Sequence, residues 1–448
     1  MRPSLCLPAL VLGLVSGCEK EASPPADAGA DAAVVVEDLG PDGHDGGDGA
    51  TAQLSSSCIV GATAFAAWTA DPKMCVTSYA EGVGGARGMA FSPNGDLLVV
   101  AGGGIVGLHD DDGDGHIDPL SERYTLVSGA GLNHGIAISV DKKYVYASSA
   151  ASVWRWTLPT DRSAATNQEL VVDNIPVGGH ATRTLLFDGQ GRLLVSIGSA
   201  SNLDSSPADW AVRSMVKRFI IDGATLPLDA SAGEKLATGM RNEVGLAYDS
   251  SGKLWGVENG RDSATYNGAD VHLGNPGEEL NLVDDTTDTF YGYPRCWSEF
   301  DLPGGGGPGT QHRDEQIPAA NLKDEAWCQS AANVRRPALV MPAHFAPLGV
   351  TEYAGGSFPW QHDLLVTSHG SWNHEAPGQV GRVLLRILRD STGKPTGYAP
   401  VLGELAADGT LAEGTWAVRP VDVKVGAHGE VFVSDDASGH VLRIGYAP

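Results

Sequence analysis

The sequence has few basic residues, with 30 Lys and Arg against 55 Asp and Glu and a formal net charge of -25 over 448 residues. Binding to nucleic acid depends on clustered Lys and Arg, so this composition argues against a nucleic acid partner. The apolar run near the N-terminus is too short to span a bilayer, and no other run is long and apolar enough to do so. Cysteine is also scarce, with six residues and no C-x-x-C pair, so a four-thiolate zinc site is disfavoured.

The N-terminus has the pattern of an export signal. Residues 1–17 carry one basic residue, Arg2, and then a short apolar run that ends in small residues, as in a signal peptide. The last four positions, VSGC, resemble the bacterial lipoprotein cleavage box. That resemblance implies a lipidated Cys18 as the mature N-terminus, with an ordinary secretory leader as the alternative. We therefore expect a lipid-anchored protein of the bacterial cell envelope, at the periplasmic or outer-membrane face, held to the membrane by the lipid anchor only.

A tether is predicted over residues 18–54, because Ala, Gly, Pro and many acidic residues cannot bury enough apolar surface to offset the entropy of ordering. The folded part then runs over 55–448. It contains four cysteines, an even number for an oxidising compartment, and three pairings are formally possible. Sequence proximity favours two local disulfides, which are Cys58–Cys75 and Cys296–Cys328.

The folded part repeats one phrase six times. Each copy is an apolar strand, a tight turn rich in Gly, Asn and Asp, and a second apolar strand, which is typical of a hairpin. Hairpins that recur at this spacing predict an all-β fold, a six-bladed β-propeller of four-stranded antiparallel blades. The copies are RGMAFSPNGDLLVVA from Arg87, HGIAISVDKKYVYAS from His134, RTLLFDGQGRLLVSIG from Arg183, VGLAYDSSGKLWGVENG from Val244, LGVTEYAGGSFPWQHDLLVTSHG from Leu348 and VDVKVGAHGEVFVSDD from Val421.

The spacing of the copies predicts two further features of the propeller. The fourth step is much longer than the others, which indicates an insertion of about 262–343 in blade four, stapled by the second disulfide. A strand over 59–65 is expected to close the ring against the last blade, because open sheet edges invite aggregation.

Short motifs beside the inner strands make the prediction of function more specific. GGHATRTLLF, GMRNEVGLAYD, FYGYP, SHGSWNH, HFAPLG and RPVDV occur in this order at the blade ends. Together they resemble the glucose/sorbosone dehydrogenases, soluble quinoproteins that oxidise sugars, with the sorbosone-type subgroup most similar. The resemblance implies pyrroloquinoline quinone and Ca²⁺ as cofactors, an aldose or sorbosone-like sugar as substrate, and a diffusible or membrane electron acceptor.

The resemblance also assigns roles to residues at the channel mouth. Sugar oxidation needs a base for the hydroxyl proton, and a neutral imidazole suits that role at neutral pH. The family pattern places this base at His180, with Arg183 in the same motif. The expected contacts to the quinone, a planar tricarboxylate, come from Arg241, Asn242, His369 and Arg419.

Two calcium sites are predicted. In the family the ion is held by oxygen ligands beside the quinone, and the matching positions are the main-chain oxygens of Gly260 and Arg261 with the carboxylate of Glu278. A second, quinone-independent site is predicted in a loop with oxygens at EF-like spacing, although an acidic hairpin tip is the alternative. The side chains expected to bind this second ion are Asp110, Asp112, Asp114 and Asp118.

The chain departs from the family at two positions. Ser199 stands where glucose-type members have the acid that orients the base, with Asp204 as a nearby substitute, and Val421 stands where a second arginine is expected. These departures keep open a non-catalytic cell-surface propeller that binds carbohydrate or protein. A calcium-dependent lactonase is a second alternative, whereas the absence of a G-x-G-x-x-G motif after a strand argues against an NAD-linked enzyme.

Overall fold

In the computed structural model, the described residues are 56–283, 288–374, 379–412 and 416–448. They are almost entirely strands and turns, with 3% helix. The predicted leader over 1–17, the tether over 18–54 and Cys18 lie outside the described residues. In the part of the chain that is described, no helix has the length and apolar character needed to cross a membrane.

Six antiparallel sheets succeed one another along the chain, which confirms the six-bladed β-propeller. In blades 1 to 3 the inner strand and the one after it coincide with a repeated phrase, joined by a tight turn such as the one closed by Gly95 N and Ser92 O at 3.0 Å. The first strands are β1 (Trp68–Thr69) and β2 (Met74–Ala80). Blade 1 has β3 (Met89–Phe91), β4 (Leu97–Ala101), β5 (Gly104–Leu108) and β6 (Arg123–Val127); blade 2 has β7 (Ile136–Ile138), β8 (Tyr144–Ser148), β9 (Val153–Thr157) and β10 (Thr166–Asp173); blade 3 has β11 (Leu185–Phe187), β12 (Leu193–Ile197), β13 (Met215–Phe219) and β15 (Glu234–Thr238).

Short elements extend blades 2 and 3. The helix α1 (Pro207–Trp210) lies in the loop after β12, and a 3₁₀ turn (Ala230–Ala232) precedes β15. The two-residue strand β14 (Leu228–Asp229) joins the edge of blade 2 in parallel to β10. The strand β14 thus extends the outer edge of blade 2 and leaves its inner strand β7 at the other side of the sheet.

Blade 4 carries the predicted insertion, but as two separate segments. Its sheet is β16 (Glu243–Tyr248), β17 (Leu254–Glu258), β20 (Glu278–Val283) and β24 (Leu339–Met341). The range 262–343 therefore contains two blade strands, and β20 divides the inserted residues. The extra elements are the hairpin β18 (Thr265–Tyr266) and β19 (Ala269–Asp270), β21 (Thr289–Phe290), which pairs with β15, the hairpin β22 (Cys296–Ser298) and β23 (Gln311–Arg313), and α2 (Glu325–Gln329).

Blades 5 and 6 complete the ring, and β2 closes it. The closing strand pairs with β32 from Met74 opposite Tyr446, whereas residues 59–65 contribute one isolated bridge, Ala64 with Thr77. The expectation for 59–65 was therefore wrong: that segment lies outside the closing strand. Blade 5 has β25 (Pro347–Glu352), β26 (Leu364–His369), β27 (Arg382–Arg389) and β28 (Pro395–Leu405), with β1 and β29 (Leu411–Ala412) on β28; blade 6 has β30 (Pro420–Val425), β31 (Val431–Asp435) and β32 (Val441–Tyr446).

Both predicted disulfides are confirmed. Cys58 pairs with Cys75 at a Cα–Cα distance of 5.9 Å, and Cys296 pairs with Cys328 at 5.8 Å. The first joins the segment before β1 to the closing strand. The second holds α2 against the β22–β23 hairpin of the insertion, so each bridge closes a local loop and restricts the unfolded chain.

Candidate functional site at the channel mouth

A cavity of about 310 Å³ lies where the inner strands begin. In an antiparallel hairpin the start of the first strand and the end of the second meet at one edge of the sheet, as Glu243 meets Glu258 in blade 4. Side chains that precede inner strands or follow second strands therefore converge on this cavity. Seven residues that the sequence assigned to function line it: His180, Arg241, Asn242, Gly260, Glu278, His369 and Arg419.

His180 is the imidazole expected to act as the base. Its Nδ1 lies 2.8 Å from Ser199 Oγ and 3.2 Å from Ser199 O, and no described residue hydrogen-bonds to Nε2. Burial and the positive charge of Arg241 lower the pKa of His180 to about 4. The ring is therefore neutral at neutral pH and can accept a proton at the nitrogen that the protein leaves open.

Arg183 takes a different place from the one predicted. Its side chain is fully buried and does not line the cavity. The guanidinium donates to the carbonyl oxygens of His180 at 2.7 Å and Pro176 at 2.9 Å. Arg183 therefore supports the loop that carries His180 and lies away from any reacting atom.

One side of the cavity is rich in oxygen atoms, and we call it the oxygen wall (Asn259, Gly260, Asp262 and Glu278, with Arg241 among them). The Arg241 guanidinium donates to Gly260 O at 2.8 Å and to Asn259 O at 3.2 Å. Glu278 accepts backbone N–H groups of Gly260 at 2.6 Å and Ala346 at 3.0 Å. Burial raises the pKa of Glu278 to about 8. Carboxylate and carbonyl oxygens are the donor set that Ca²⁺ prefers, so this wall suits a calcium ion.

Three predicted roles on this wall need adjustment. Gly260 O already accepts a hydrogen bond from Arg241, so a cation would share that oxygen through its second lone pair. The Arg261 side chain is buried and binds Asp314 and Gln316 of the insertion, which ties the insertion to the end of β17. Arg241 itself donates to protein oxygens and is 4% exposed, so little of it is free to meet a quinone carboxylate directly.

The opposite side is the arginine wall (Arg87, His369, Arg382 and Arg419, with Asp436). Asp436 accepts from Arg87 Nη1 at 2.5 Å, Arg419 Nε at 2.6 Å and His369 Nε2 at 3.1 Å. Burial raises the pKa of Asp436, but the hydrogen bond from His369 and the neighbouring positive charges outweigh it, and the pKa lies well below its usual range. Two guanidinium groups and one imidazole thus share a single carboxylate, and Arg382 adds a third guanidinium nearby, so surplus positive charge faces the cavity.

Arg382 gives a direct test of whether this wall fits an anionic cofactor. Its Nη1 donates to Trp416 O at 2.5 Å, while its Nε is buried and has no hydrogen-bond partner among the described residues. A buried unpaired guanidinium nitrogen is costly unless a ligand satisfies it. Arg87, Arg382 and Arg419 all line the cavity, and the first and last of them share Asp436, so the surplus positive charge of this wall fits a planar molecule with several carboxylates such as pyrroloquinoline quinone.

The model of the family described as TrAA12-like matches residues 69–447. The chain belongs to the TrAA12-like family. It is 30% identical over 380 residues to a protein of Hypocrea jecorina named "Pyrroloquinoline quinone-dependent sugar dehydrogenase", with 80% of this chain and 84% of that one covered. It is 28% identical to the "Pyrroloquinoline quinone-dependent pyranose dehydrogenase" of Coprinopsis cinerea, but spans only 52% of that longer protein and 80% of itself.

Solved structures of the same family share the architecture. Iodide and calcium structures of the Trichoderma reesei Carbohydrate-Active Enzymes Family AA12 protein superpose with TM-scores of 0.74 and 0.73. Each is 26% identical, and each match covers 87% of this chain and 100% of the other. The structure also shows where Val421 lies, one of the two positions at which the sequence departs from the family pattern.

Val421, at the position of an expected arginine, does not reach the arginine wall. It is fully buried in an apolar cluster with Val244 and Leu348, and these two also line a second cavity of about 350 Å³ along the inner strands. The positive charge that an arginine at position 421 would bring comes instead from Arg87 and Arg382. Arg87 precedes β3 and Arg382 begins β27, and neither was predicted to line the site. Arg87 opens the first repeated phrase, a position that precedes an inner strand and could have marked it.

The acidic loop between β5 and β6 only partly follows the prediction. Carboxylate oxygens of Asp110, Asp112 and Glu122 lie within 4.8 Å of one another. Asp114 and Asp118 instead accept backbone N–H groups two residues later, at 2.7 Å each. Glu122 lies one residue beyond the EF-like register, yet its carboxylate folds back to accept the backbone N–H groups of Asp111 and Asp118. The predicted set of four is therefore replaced by a smaller group that includes Glu122.

Proposed function

We propose that this protein oxidises a sugar with pyrroloquinoline quinone and Ca²⁺ in the cavity at the channel mouth. One observation carries the proposal: a histidine with an open Nε2, an oxygen-rich wall and a wall with surplus positive charge enclose a single cavity. The same chain belongs to the TrAA12-like family, and relatives of it bear the names of quinone-dependent sugar and pyranose dehydrogenases. The activity is that of an oxidoreductase acting on CH–OH groups of an aldose or a sorbosone-like sugar.

His180 performs the proton transfer. As the substrate carbon is oxidised, its hydroxyl proton must leave, and Nε2 of the neutral imidazole receives it. When bound, pyrroloquinoline quinone supplies the acceptor for the two electrons. Because the pKa of His180 lies near 4, the ring is already in the basic form over the neutral range. Arg183 keeps the His180 loop in place from behind.

The two walls hold the cofactors. Arg87, Arg382 and Arg419 are suited to bind carboxylates through charge-assisted hydrogen bonds, and His369 is held beside them by Asp436. Asn242 also lines the cavity, where its amide is fixed by Asn259 Oδ1 at 3.0 Å. Gly260, Asp262 and Glu278 would hold a calcium ion on the other side, where its charge would favour the ionised form of Glu278 over the protonated form.

The spectrum of the purified protein tests this function. Pyrroloquinoline quinone added with Ca²⁺ should change its absorbance on binding, and an aldose should then bleach the quinone band and reduce an artificial dye. The same titration with chelator present measures the calcium requirement. If no calcium concentration produced a quinone-dependent absorbance change, the enzyme reading would fail. The non-catalytic carbohydrate- or protein-binding propeller would then replace it.

We further propose that the mature protein is attached to the bacterial cell envelope by a lipid on Cys18 and passes electrons to a diffusible or membrane acceptor. The support is the VSGC box after the apolar leader and the acidic tether that follows. Cys18→Ala should release soluble protein or leave unprocessed precursor. Unchanged membrane fractionation and an unchanged N-terminal mass for this variant would contradict the anchor.

A further inference from the structure

The remaining question about His180 is what holds it in the productive form. A neutral imidazole carries one proton, and only the tautomer protonated at Nδ1 leaves a lone pair on Nε2 toward the cavity. Nδ1 lies 3.2 Å from the carbonyl oxygen of Ser199, which can only accept. At this long distance the carbonyl alone favours a proton on Nδ1 only weakly. The backbone fixes the same loop, since His180 N also donates to Ser199 O at 3.2 Å.

The hydroxyl of Ser199 strengthens this arrangement because its own direction is set. Ser199 Oγ lies 2.7 Å from the carbonyl oxygen of Ser201, which takes the hydroxyl proton. The lone pairs of Oγ are then left for the Nδ1–H of His180 at 2.8 Å. Ser199 is fully buried, so water does not compete for the hydroxyl. The chain of bonds thus runs from the imidazole through the hydroxyl to a backbone carbonyl.

Asp204 fixes the turn that carries the hydroxyl and the carbonyl oxygen of this chain of bonds. It is 2% exposed, and its carboxylate accepts the backbone N–H groups of Ala200 at 3.0 Å and Ser201 at 2.9 Å. The backbone of Asp204 is anchored in turn, because its N–H donates to the Tyr293 hydroxyl at 2.6 Å. The carboxylate therefore does not touch His180 and acts on it through the position of Ser201 O.

We propose that Ser199 is the positioning residue for His180 and that Asp204, by holding the turn from Ser199 to Ser201, completes a neutral replacement for the orienting carboxylate. This inference rests on the proposed function for its catalytic meaning, but the tautomer of His180 is a property of the protein alone. The consequence is chemical. A hydroxyl orients the ring as a carboxylate does, yet it adds no negative charge to stabilise the protonated imidazole.

The surroundings of His180 define the expected pH behaviour. Arg241 lowers its pKa, whereas the charges of Asp204 and Asp262 raise it, and burial outweighs both. The phenol of Tyr293 lies behind Asp204 and stays neutral, because burial raises its pKa to about 12. With a serine beside the ring, His180 should stay unprotonated and active into mildly acidic solution. A carboxylate at this position would raise the pH below which the rate falls on the acidic side of the profile.

The test compares Ser199→Ala and Ser199→Asp with the wild type, using Ser205→Ala as a matched control at an exposed serine of the same loop. Nitrogen NMR of the His180 ring reports the tautomer and the pKa without any substrate. In the wild type we expect Nδ1 protonated and Nε2 bare. Ser199→Ala should mix the tautomers and lower kcat about two- to tenfold at unchanged KM, as expected for one lost neutral hydrogen bond.

Ser199→Asp should raise the pKa of His180 and the acidic limb of the kcat profile together by about one to two pH units. Asp204→Asn should resemble Ser199→Ala, and the double variant should be no worse than Ser199→Ala alone, since both act through one chain of bonds. The proposal is overturned if Ser199→Ala leaves the tautomer and the pH profile as in the wild type. The wild-type protein could show a ring protonated at Nδ1 and still lack quinone-dependent turnover. That result would refute the proposed function but leave the positioning role of Ser199 intact.

Discussion

The two walls of the channel mouth differ in how their charges are satisfied. On the oxygen wall, Arg241 and Glu278 each make several hydrogen bonds to the backbone, so the protein pairs these groups itself. On the arginine wall, Asp436 is the shared carboxylate for two arginines and a histidine, and Arg382 Nε is left without a partner among the described residues. One wall is complete before a ligand arrives, and the other still requires an anion.

This difference separates two tasks in the same cavity. A wall whose groups are already paired keeps its geometry, which suits proton transfer and the placement of a metal ion. A wall with surplus charge gains most from a bound anion, and a ligand that binds only the folded protein stabilises it. We therefore expect changes near His180 to affect turnover and changes on the arginine wall to affect cofactor retention.

The largest effect is expected for His180→Ala. The variant removes the base, and general-base catalysis typically contributes about 10²–10⁴-fold, so kcat should fall by about that factor. Binding of pyrroloquinoline quinone, followed by its absorbance, should stay close to the wild-type value because the arginine wall is unchanged. His428→Ala, at an exposed histidine, serves as the control. A large loss of quinone binding in His180→Ala would break the distinction between the walls.

A smaller effect, on quinone binding and not on turnover, is expected for Arg382→Met. A charge-assisted hydrogen bond contributes about 1.5–3 kcal/mol, so the dissociation constant of the quinone should rise about 10- to 100-fold. With saturating quinone, kcat should recover, since the proton transfer is untouched. The control is Arg336→Met, which removes an exposed guanidinium outside the cavity. If quinone affinity were unaffected by Arg382→Met, the unpaired nitrogen would have another purpose.

Local patterns made much of this arrangement predictable from the sequence. A hairpin is specified by neighbouring residues, so the six phrases located the blades, and residues before inner strands, such as His180 and Arg241, could be placed together at the mouth. Disulfides that close short loops were predictable for the same reason. The direction in which a side chain points was not predictable in this way. Arg87 and Arg183 open equivalent phrases, yet Arg87 reaches the cavity and Arg183 turns into the backbone of its own loop.

Contacts between distant segments account for the rest. The closing strand is β2 and not residues 59–65, because pairing with β32 depends on partners almost 370 positions apart. Arg382 stands in for a missing arginine from another blade, and no spacing rule connects it with Val421. The role of Ser199 required the direction of a hydroxyl, which only the position of Ser201 O supplies. The sequence shows that Ser199 stands where an acid was expected, and the structure shows that its hydroxyl bonds to the His180 ring in place of that acid.

The third prediction concerns the acids behind the oxygen wall. Glu243, Glu258 and Glu279 are buried around the amide of Asn281, and burial raises the pKa of each above its usual range. The folded state therefore holds protons that the unfolded state releases above about pH 4.5. The free energy of unfolding should fall as pH rises through the folded pKa values, by up to about 1.4 kcal/mol per pH unit for each proton.

Denaturant unfolding between pH 6 and 9 measures this slope, and Glu243→Gln should flatten it by removing one of the three groups. Glu81→Gln, at an exposed acid, should leave the slope unchanged. Because His180 and the arginine wall keep their contacts, quinone affinity at neutral pH should stay near the wild-type value. A steeper slope in Glu243→Gln would mean that the cluster is held by a charge and not by protons.

The smallest effect is expected at the acidic loop of blade 1, which lies outside both walls. Carboxylates of Asp110, Asp112 and Glu122 converge there, and their mutual repulsion would be relieved by a divalent cation. For a site of millimolar affinity, 10 mM Ca²⁺ adds about 1.4 kcal/mol and should raise the melting temperature by about 2 °C. Asp112→Ala should abolish this response, whereas Asp114→Ala should keep most of it, since Asp114 instead accepts a backbone N–H. Neither variant should change quinone affinity or turnover. If chelator left the wild-type melting temperature unaltered, the loop would be an acidic hairpin tip, and calcium would act only at the channel mouth.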